Sequence, residues 1–231
     1  MSQVGVVLAA AGSGRRMGKQ ENKVLLDLLG IPVIIRSLRK FEGLDWVKEI
    51  VVVCRQEDCQ QIELLIKEWQ IAKVKGLVIG GATRQASVFN GLKALSADCD
   101  FVFIHDAARP LVEEQTLQTI YQSLHTNRAV GVAVPVKDTI KQVDQNLLVC
   151  GTPDRSQLWA IQTPQAFTYQ LIVDAYEQAE KQGWQVTDDC GLVEKLGLPV
   201  KIIPGTYANI KLTTPEDLLF ATAILENQEE S

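Results

Sequence analysis

Strand-sized apolar runs recur along this chain at Val4–Ala10, Glu49–Cys54, Leu77–Ile79, Phe101–His105, Ala129–Val134 and Val200–Ile203. Several are apolar at nearly every position, the pattern of parallel strands covered on both faces. Between them lie segments with helical spacing: Ile62, Leu65, Ile66, Trp69; Val88, Leu92, Leu95; Leu117, Ile120, Tyr121, Leu124; and Ile172, Ala175, Tyr176, Ala179. Thr214-Pro215-Glu216-Asp217 marks a last helix, with Thr as cap, Pro in the first turn and Asp as capping-box partner. This alternation predicts an open α/β sheet with helices on both faces.

One stretch breaks the rhythm. Within 137–163, short alternating runs at Thr139–Val143 and Leu147–Cys150 flank Asp144-Gln145-Asn146 and read as a β-hairpin. A hairpin alone is too small to be stable. It either folds back on the sheet edge or leans on a second subunit as a dimer arm. The arm is favoured, because Leu158 and Trp159 then gain a partner surface.

Composition removes several function classes. A net charge of −5 argues against nucleic acid as a partner, since phosphate contacts need an excess of Lys and Arg. Val6–Ala11 and Ala129–Val136 fall far short of the ~20 apolar residues of a membrane helix, so no membrane association is expected. The first apolar run starts at once with no basic region before it, which predicts a cytoplasmic protein without an export leader. Five cysteines with no Cys-x-x-Cys pattern support neither a disulfide framework nor a zinc knuckle. Two histidines, His105 and His125, are too few for a multi-histidine metal site.

The chemistry gathers in loops. After the first run comes Ala9-Ala10-Ala11-Gly12-Ser13-Gly14-Arg15-Arg16-Met17-Gly18-Lys19-Gln20-Glu21-Asn22-Lys23. Small residues admit a ligand close to the backbone, and successive N–H groups in such a loop form an anion nest. Arg15, Arg16, Lys19 and Lys23 against Glu21 make it locally positive on an acidic protein. A dinucleotide fingerprint fails because its sixth position is Met17, which disfavours a nicotinamide-dependent oxidoreductase. A P-loop fails because Gly12 to Gly18 is one residue too long and Gln20 follows the lysine. What remains is a glycine loop long enough to wrap a triphosphate; the plainer alternative is a solvated loop.

Two further loops follow strands: Gly80-Gly81-Ala82-Thr83-Arg84-Gln85-Ala86-Ser87, where Thr83 can cap the next helix, and His105-Asp106-Ala107-Ala108-Arg109-Pro110. In open α/β sheets ligands sit outside the carboxyl ends of strands, so all three loops meet one rim. Asp106 suits a phosphate-bound Mg²⁺, a hard cation that prefers oxygen, or else caps the following turn. His105 reads as a satisfied structural histidine. Arg155 and Lys211 read singly as solvated charges, and Thr187-Asp188-Asp189 as the cap of a helix running into Leu192–Leu196.

Taken together, these loops resemble those of the 2-C-methyl-D-erythritol 4-phosphate cytidylyltransferases of the non-mevalonate isoprenoid pathway. The resemblance rests on Ala10-Ala11-Gly12-Ser13-Gly14-Arg15-Arg16-Met17-Gly18, Gly30-Ile31-Pro32-Val33, Gly80-Gly81 with Arg84 and Ser87-Val88, and His105-Asp106-Ala107-Ala108-Arg109-Pro110. Leu158-Trp159, Thr163-Pro164-Gln165 and Asn209-Ile210-Lys211-Leu212-Thr213-Thr214-Pro215-Glu216-Asp217 extend it over almost the whole chain. It implies a Rossmann-like, mostly parallel nucleotidyltransferase sheet, one domain over 1–231 with 137–163 as a dimerisation arm, and a homodimer. It also implies that CTP and the methylerythritol phosphate react with Mg²⁺ to give 4-diphosphocytidyl-2-C-methyl-D-erythritol and pyrophosphate.

By the same resemblance Arg16 and Lys23 stabilise charge at the α-phosphate and the leaving pyrophosphate. Arg155 and Lys211 orient the substrate phosphate, helped by Thr139 and Arg109, with Thr163 and Thr187 also on the substrate side. The backbone of Ala10, Ala11 and Gly81 with Ser87 reads cytosine, and Gly12, Gly14, Arg15, Arg84, Asp106 and Ala107 complete the CTP site. Arg155 and Thr139 could come from a second subunit through the arm. Four positions depart from the family pattern: Asn22 and Val24 around Lys23 where many relatives have Pro and Gln, Ala82 in place of Asp, and Ala208 in place of an acidic residue. Ribitol-5-phosphate cytidylyltransferases are similar and form the nearest alternative; a non-catalytic CTP-binding regulator is the alternative of another class.

Overall fold

Val6 and Val7 are neighbours in sequence, both fully buried, and each packs into a different core. Successive strand side chains point to opposite faces, so a strand that is apolar at every position needs cover on both sides. The computed structural model, which describes residues 2–12 and 22–229, supplies that cover.

Among the described residues the strands are β1 (Val4–Ala9), β2 (Asp27–Leu28), β3 (Ile31–Pro32), β4 (Val47–Cys54), β5 (Val74–Ile79), β6 (Phe101–Asp106), β7 (Ala129–Pro135), β8 (Gln142–Val143), β9 (Val149–Gly151), β10 (Trp159–Thr168) and β11 (Lys201–Pro204). The helices are α1 (Val33–Glu42), α2 (Cys59–Glu68), α3 (Arg84–Ala94), α4 (Glu114–Ser123), α5 (Tyr169–Gln182), α6 (Cys190–Lys195) and α7 (Pro215–Glu229). Seven strands form the main sheet in the order β11-β7-β10-β6-β1-β4-β5. All neighbouring pairs are parallel except those of β10, which runs antiparallel to both β6 and β7.

Helices cover both faces. Ile34, Ile35, Leu38 and Phe41 of α1, Ile62 of α2 and Leu117 and Ile120 of α4 fill one core. Val88 and Leu92 of α3, Leu171, Ile172 and Tyr176 of α5, and Leu192 and Val193 of α6 fill the other. From β1 the chain winds to β4 and β5 on one side, then crosses to β6 on the other. The loops after β1 and β6 therefore diverge and leave a crevice at the carboxyl ends of the strands.

The parallel strands follow the sequence-based expectation to within three residues at each end. Asp217 also behaves as expected, its carboxylate accepting from the Thr213 and Thr214 N–H groups at 2.6 and 2.8 Å. Besides the two-residue strands β2 and β3, two elements were not expected. The helical spacing does not single out α1, because Val33-Ile34-Ile35 reads as readily as a buried strand. The polar residues Gln162, Thr163 and Gln165 mask β10, a strand in the middle of the sheet. Residues 159–163, expected in the arm, thus belong to this strand. The projecting hairpin is β8 paired with β9, closed at its root by Val136 N–H donating to Leu158 O at 3.0 Å.

Candidate active site

Three loops leave the sheet side by side because backbone hydrogen bonds hold them in step. Ala10 N–H donates to Val53 O at 2.7 Å, Gly80 N–H to Cys54 O at 2.9 Å, and Ala107 N–H to Ala9 O at 3.0 Å. A Cβ on Gly80 would lie 2.6 Å from Ala11 Cβ, and one on Gly81 2.6 Å from Ala86 Cβ, so glycine is required at Gly80 by the approach of the loop after β1 and at Gly81 by the tight turn into α3. Thr83 caps α3 as expected, its hydroxyl accepting from Ala86 N–H at 3.0 Å. Ser87 Oγ accepts from Gly81 N–H at 3.0 Å and donates to Thr83 O at 2.8 Å, which fixes the glycine turn.

These loops enclose a cavity of about 540 Å³. Of the residues expected at the site, Ala10, Ala11, Gly12, Lys23, Gly81, Arg84, Ser87, Asp106 and Lys211 line it together. Lys211 reaches it because Leu212 N–H donates to Ala108 O at 2.8 Å and Leu212 is buried with Leu28, Val33 and Leu111 against α7. Thr213 also lines the cavity; its place beside Lys211 in the Asn-Ile-Lys-Leu-Thr segment was the only available signal.

Asp106 is the electrostatic pivot. Its carboxylate pairs with Lys211 through Oδ2 and lies 3.4 Å from Arg84 through Oδ1. Burial alone would raise its pKa, but Arg84 and Lys211 outweigh burial and hold it well below the usual carboxylate range. Arg84 is itself clamped by Asp189, with bonds of 3.0 and 2.8 Å from its two terminal nitrogens. Tyr176 donates to the same carboxylate. Burial works against the Arg84 charge, but Asp189 and Asp106 keep the guanidinium more firmly protonated than usual. Asp189 was expected chiefly within a helix cap, but its side chain makes no capping bond to α6, and nothing in its local sequence reveals a partner 105 residues away.

Behind the pocket runs a second polar chain. Asp106 N–H donates to Thr163 Oγ1 at 3.0 Å, and Thr163 Oγ1 lies 3.2 Å from His105 Nδ1. His105 Nε2 is 3.0 Å from Arg109 O, an acceptor only, so the proton sits on Nε2 and Thr163 donates to Nδ1. Burial pushes the His105 pKa down to about 4, leaving the ring neutral at neutral pH. Arg109 donates to Asn209 O at 2.6 Å, and Asn209 Nδ2 returns to Thr163 O at 3.0 Å. Thr163 and Arg109 thus stand behind Asp106 rather than on the cavity wall.

The remaining expected residues lie elsewhere. Ala107 is buried beside the cavity, its carbonyl accepting from Ser37 Oγ at 2.8 Å. Thr187 is exposed ahead of α6. Thr139 and Arg155 are exposed on the arm, where Arg155 donates to Lys137 O at 2.7 Å. Gly14, Arg15 and Arg16 lie outside the described residues. Among the described residues no three His, Cys, Asp or Glu side chains cluster as metal ligands, so a divalent cation here would rest on Asp106 and on oxygens brought by a ligand. No helix among the described residues is long and apolar enough to cross a membrane.

A cavity with several cations around one ionised carboxylate, walled by glycine loops, suits a polyphosphate, and comparison with known proteins specifies which kind. The family model for 2-C-methyl-D-erythritol 4-phosphate cytidylyltransferase matches residues 4–227. A curated protein of that name from Shouchella clausii is 49% identical over 223 residues, covering 96% of each chain. Another from Caldanaerobacter subterraneus subsp. tengcongensis is 44% identical over 225 residues, covering 96% of this chain and 98% of its own. The crystal structure of 4-diphosphocytidyl-2C-methyl-D-erythritol synthase from Anaerococcus prevotii superposes with a TM-score of 0.85 at 34% identity, covering 97% of this chain and 99% of that one. A match across the sheet, all three loops and the Lys211 segment leaves one conclusion: the chain belongs to the 2-C-methyl-D-erythritol 4-phosphate cytidylyltransferase family.

Proposed function

We propose that this chain transfers the cytidylyl group of CTP to 2-C-methyl-D-erythritol 4-phosphate, releasing pyrophosphate, and that it does so in the cavity at the carboxyl ends of β1, β5 and β6. The observation that carries this placement is the meeting of Lys23, Arg84, Asp106 and Lys211, from four separate segments, around one cavity.

A phosphate oxygen of the sugar alcohol attacks the α-phosphorus of CTP while the bond to the β-phosphate oxygen breaks. Phosphate monoesters lose their second proton near pH 6, so the attacking oxygen is already ionised at neutral pH and needs no protein base. His105 is not placed to act as one, since both ring nitrogens are engaged within the buried network. Catalysis then consists of holding two polyanions in line and offsetting the charge that moves to the leaving pyrophosphate. Lys23 takes the leaving-group charge, a role the family resemblance also gives to Arg16. The fixed carbonyls of Ala10 and Ala11 accept from the cytosine amine, and Gly81 with Ser87 bounds the base.

Asp106 fits a Mg²⁺ ion: it is an ionised oxygen donor on the cavity wall, and Mg²⁺ in phosphate sites commonly takes one or two carboxylates plus phosphate oxygens and water. Bound there, Mg²⁺ would neutralise phosphate charge and raise the electrophilicity of the α-phosphorus. Lys211 and Arg84 hold the Asp106 carboxylate in place.

We further propose a homodimer in the cytoplasm. Ile140, Val143, Leu147, Leu148 and Val149 are exposed on the arm, and Trp159 and Ile161 at its root, a band of apolar surface that pairing would cover. Thr139 and Arg155 on that arm would then reach the sugar-alcohol phosphate of the neighbouring protomer. Five cysteines that form no disulfide suit a reducing compartment.

The test is pyrophosphate release with CTP and Mg²⁺, crossed against 2-C-methyl-D-erythritol 4-phosphate and ribitol 5-phosphate. Release with the first and not the second is expected. Preference for ribitol 5-phosphate would overturn the substrate, and no release with either would overturn the activity.

A further inference from the structure

Asn22 is only 1% exposed, and its side chain makes three hydrogen bonds that join three parts of the fold. Its Nδ2 donates to Ala10 O at 3.0 Å, where β1 opens into the cavity, and to Asp58 Oδ2 at 2.7 Å. Its Oδ1 accepts from Val24 N–H at 3.3 Å, capping the single 3₁₀ turn Lys23–Leu25. Asp58 is buried in turn and gripped by Arg55, with bonds of 2.6 and 2.7 Å from Nε and a terminal nitrogen. At Asn22, one residue before Lys23, the chain is thus pinned to β1 and to the turn between β4 and α2.

We infer that Asn22 is a positioning residue for Lys23, with Asp58 and Arg55 as its anchor outside the cavity. The inference rests on the transferase reading above. Lys23 has four rotatable carbons, and its ammonium can offset the leaving-group charge only if its backbone holds still. The two Nδ2 bonds fix that backbone against β1 and α2, whereas the Oδ1 bond only caps the turn. A proline or most other side chains at this position could not make both donor bonds. The alternative is that Asn22 serves stability alone.

Asn22→Ser separates the two roles, because a serine hydroxyl still caps the turn but cannot span to both Ala10 O and Asp58. Misplacement of a reacting group by about 1 Å can cost on the order of 10²-fold in rate. Initial rates of pyrophosphate release are measured for wild type, Asn22→Ser, Lys23→Ala and the double variant, with both substrates varied and thermal unfolding followed alongside. The expected result is a kcat for Asn22→Ser lower by roughly ten- to a hundredfold with the KM for CTP within about threefold. The double variant should be no slower than Lys23→Ala alone, since Asn22 has nothing left to position. Wild-type kcat in Asn22→Ser, or losses that multiply in the double variant, would overturn the inference. Arg55→Lys, which keeps the charge but not the two-point grip, provides a second variant should Asn22→Ser not fold; it should lower kcat several-fold, and only when Lys23 is present. No turnover by wild type with either sugar-alcohol phosphate would instead sink the transferase reading itself.

Discussion

The cavity rim and the β-arm carry expected site residues under opposite physical conditions. At the rim, Arg84, Asp106, Asp189 and Lys211 are joined across sequence separations of 22 to 105 residues, and both acids are buried. On the arm, Thr139 and Arg155 are exposed, and the Arg155 guanidinium donates to Lys137 O in the segment between β7 and β8. The rim is therefore organised before any ligand arrives, which lowers the reorganisation needed during reaction. The arm carries candidate chemistry without packing, which the proposed dimer would supply.

The largest effect should come from Lys23→Ala, where loss of one oriented charge removes about 3 kcal/mol or more of transition-state stabilisation. Turnover should fall at least a hundredfold in steady-state assays; near-normal turnover would remove the rim from the chemistry. Asp189→Ala should come next. It leaves Arg84 facing a pocket with half its counter-charge gone, and breaking one side of a buried pair costs about 3 kcal/mol, read as a lower denaturation midpoint in urea. An unchanged midpoint would show that the rim is not held together by this clamp.

Acid should then loosen the rim more than the arm. The His105 pKa falls from 6.5 to about 4 on folding, so between those values the unfolded chain binds the extra proton. Its contribution is complete above pH 6.5 and is lost as pH falls toward 4, about 3 kcal/mol at most. Asp106, held below the carboxylate range, adds a further loss only below about pH 4, the ordinary aspartate range. Urea unfolding at pH 7, 5.5 and 4.5 should show this slope, and His105→Asn should flatten it; an equal slope in both proteins would contradict the buried neutral ring. The smallest change belongs to Arg155→Ala. It should leave stability and CTP binding unaltered while raising the KM for the sugar-alcohol phosphate roughly tenfold, the worth of one charged hydrogen bond. A rise in the KM for CTP instead would place the arm at the nucleotide.

The same contrast explains what could be read from the chain unaided. Parallel strands such as β1 and β6 were legible because burial on both faces favours apolar residues, β6 turning polar only at His105 and Asp106 where it meets the cavity rim. The glycine loops were legible because close approach leaves only glycine possible at Gly80 and Gly81. β10 was hidden because its polar side chains are consumed by long-range bonds: Gln162 to Thr206 O, Thr163 to His105, and Gln165 to Asp188 and Cys190 N–H. The Arg84–Asp189 clamp and the Asn22–Asp58 tie were hidden for the same reason. Periodicity reports what a residue avoids, namely water, and is silent about a distant partner that satisfies a polar group.

The central claim is that CTP occupies the rim cavity between the loops after β1, β5 and β6. A crystal structure of the protein with CTP tests it most directly. The account predicts cytosine between Ala10–Gly12 and Gly81–Ser87, with the phosphates running toward Lys23, Asp106 and Lys211. Nucleotide bound instead in the clefts at the opposite end of the sheet, beside Arg128 and Leu198, would contradict it.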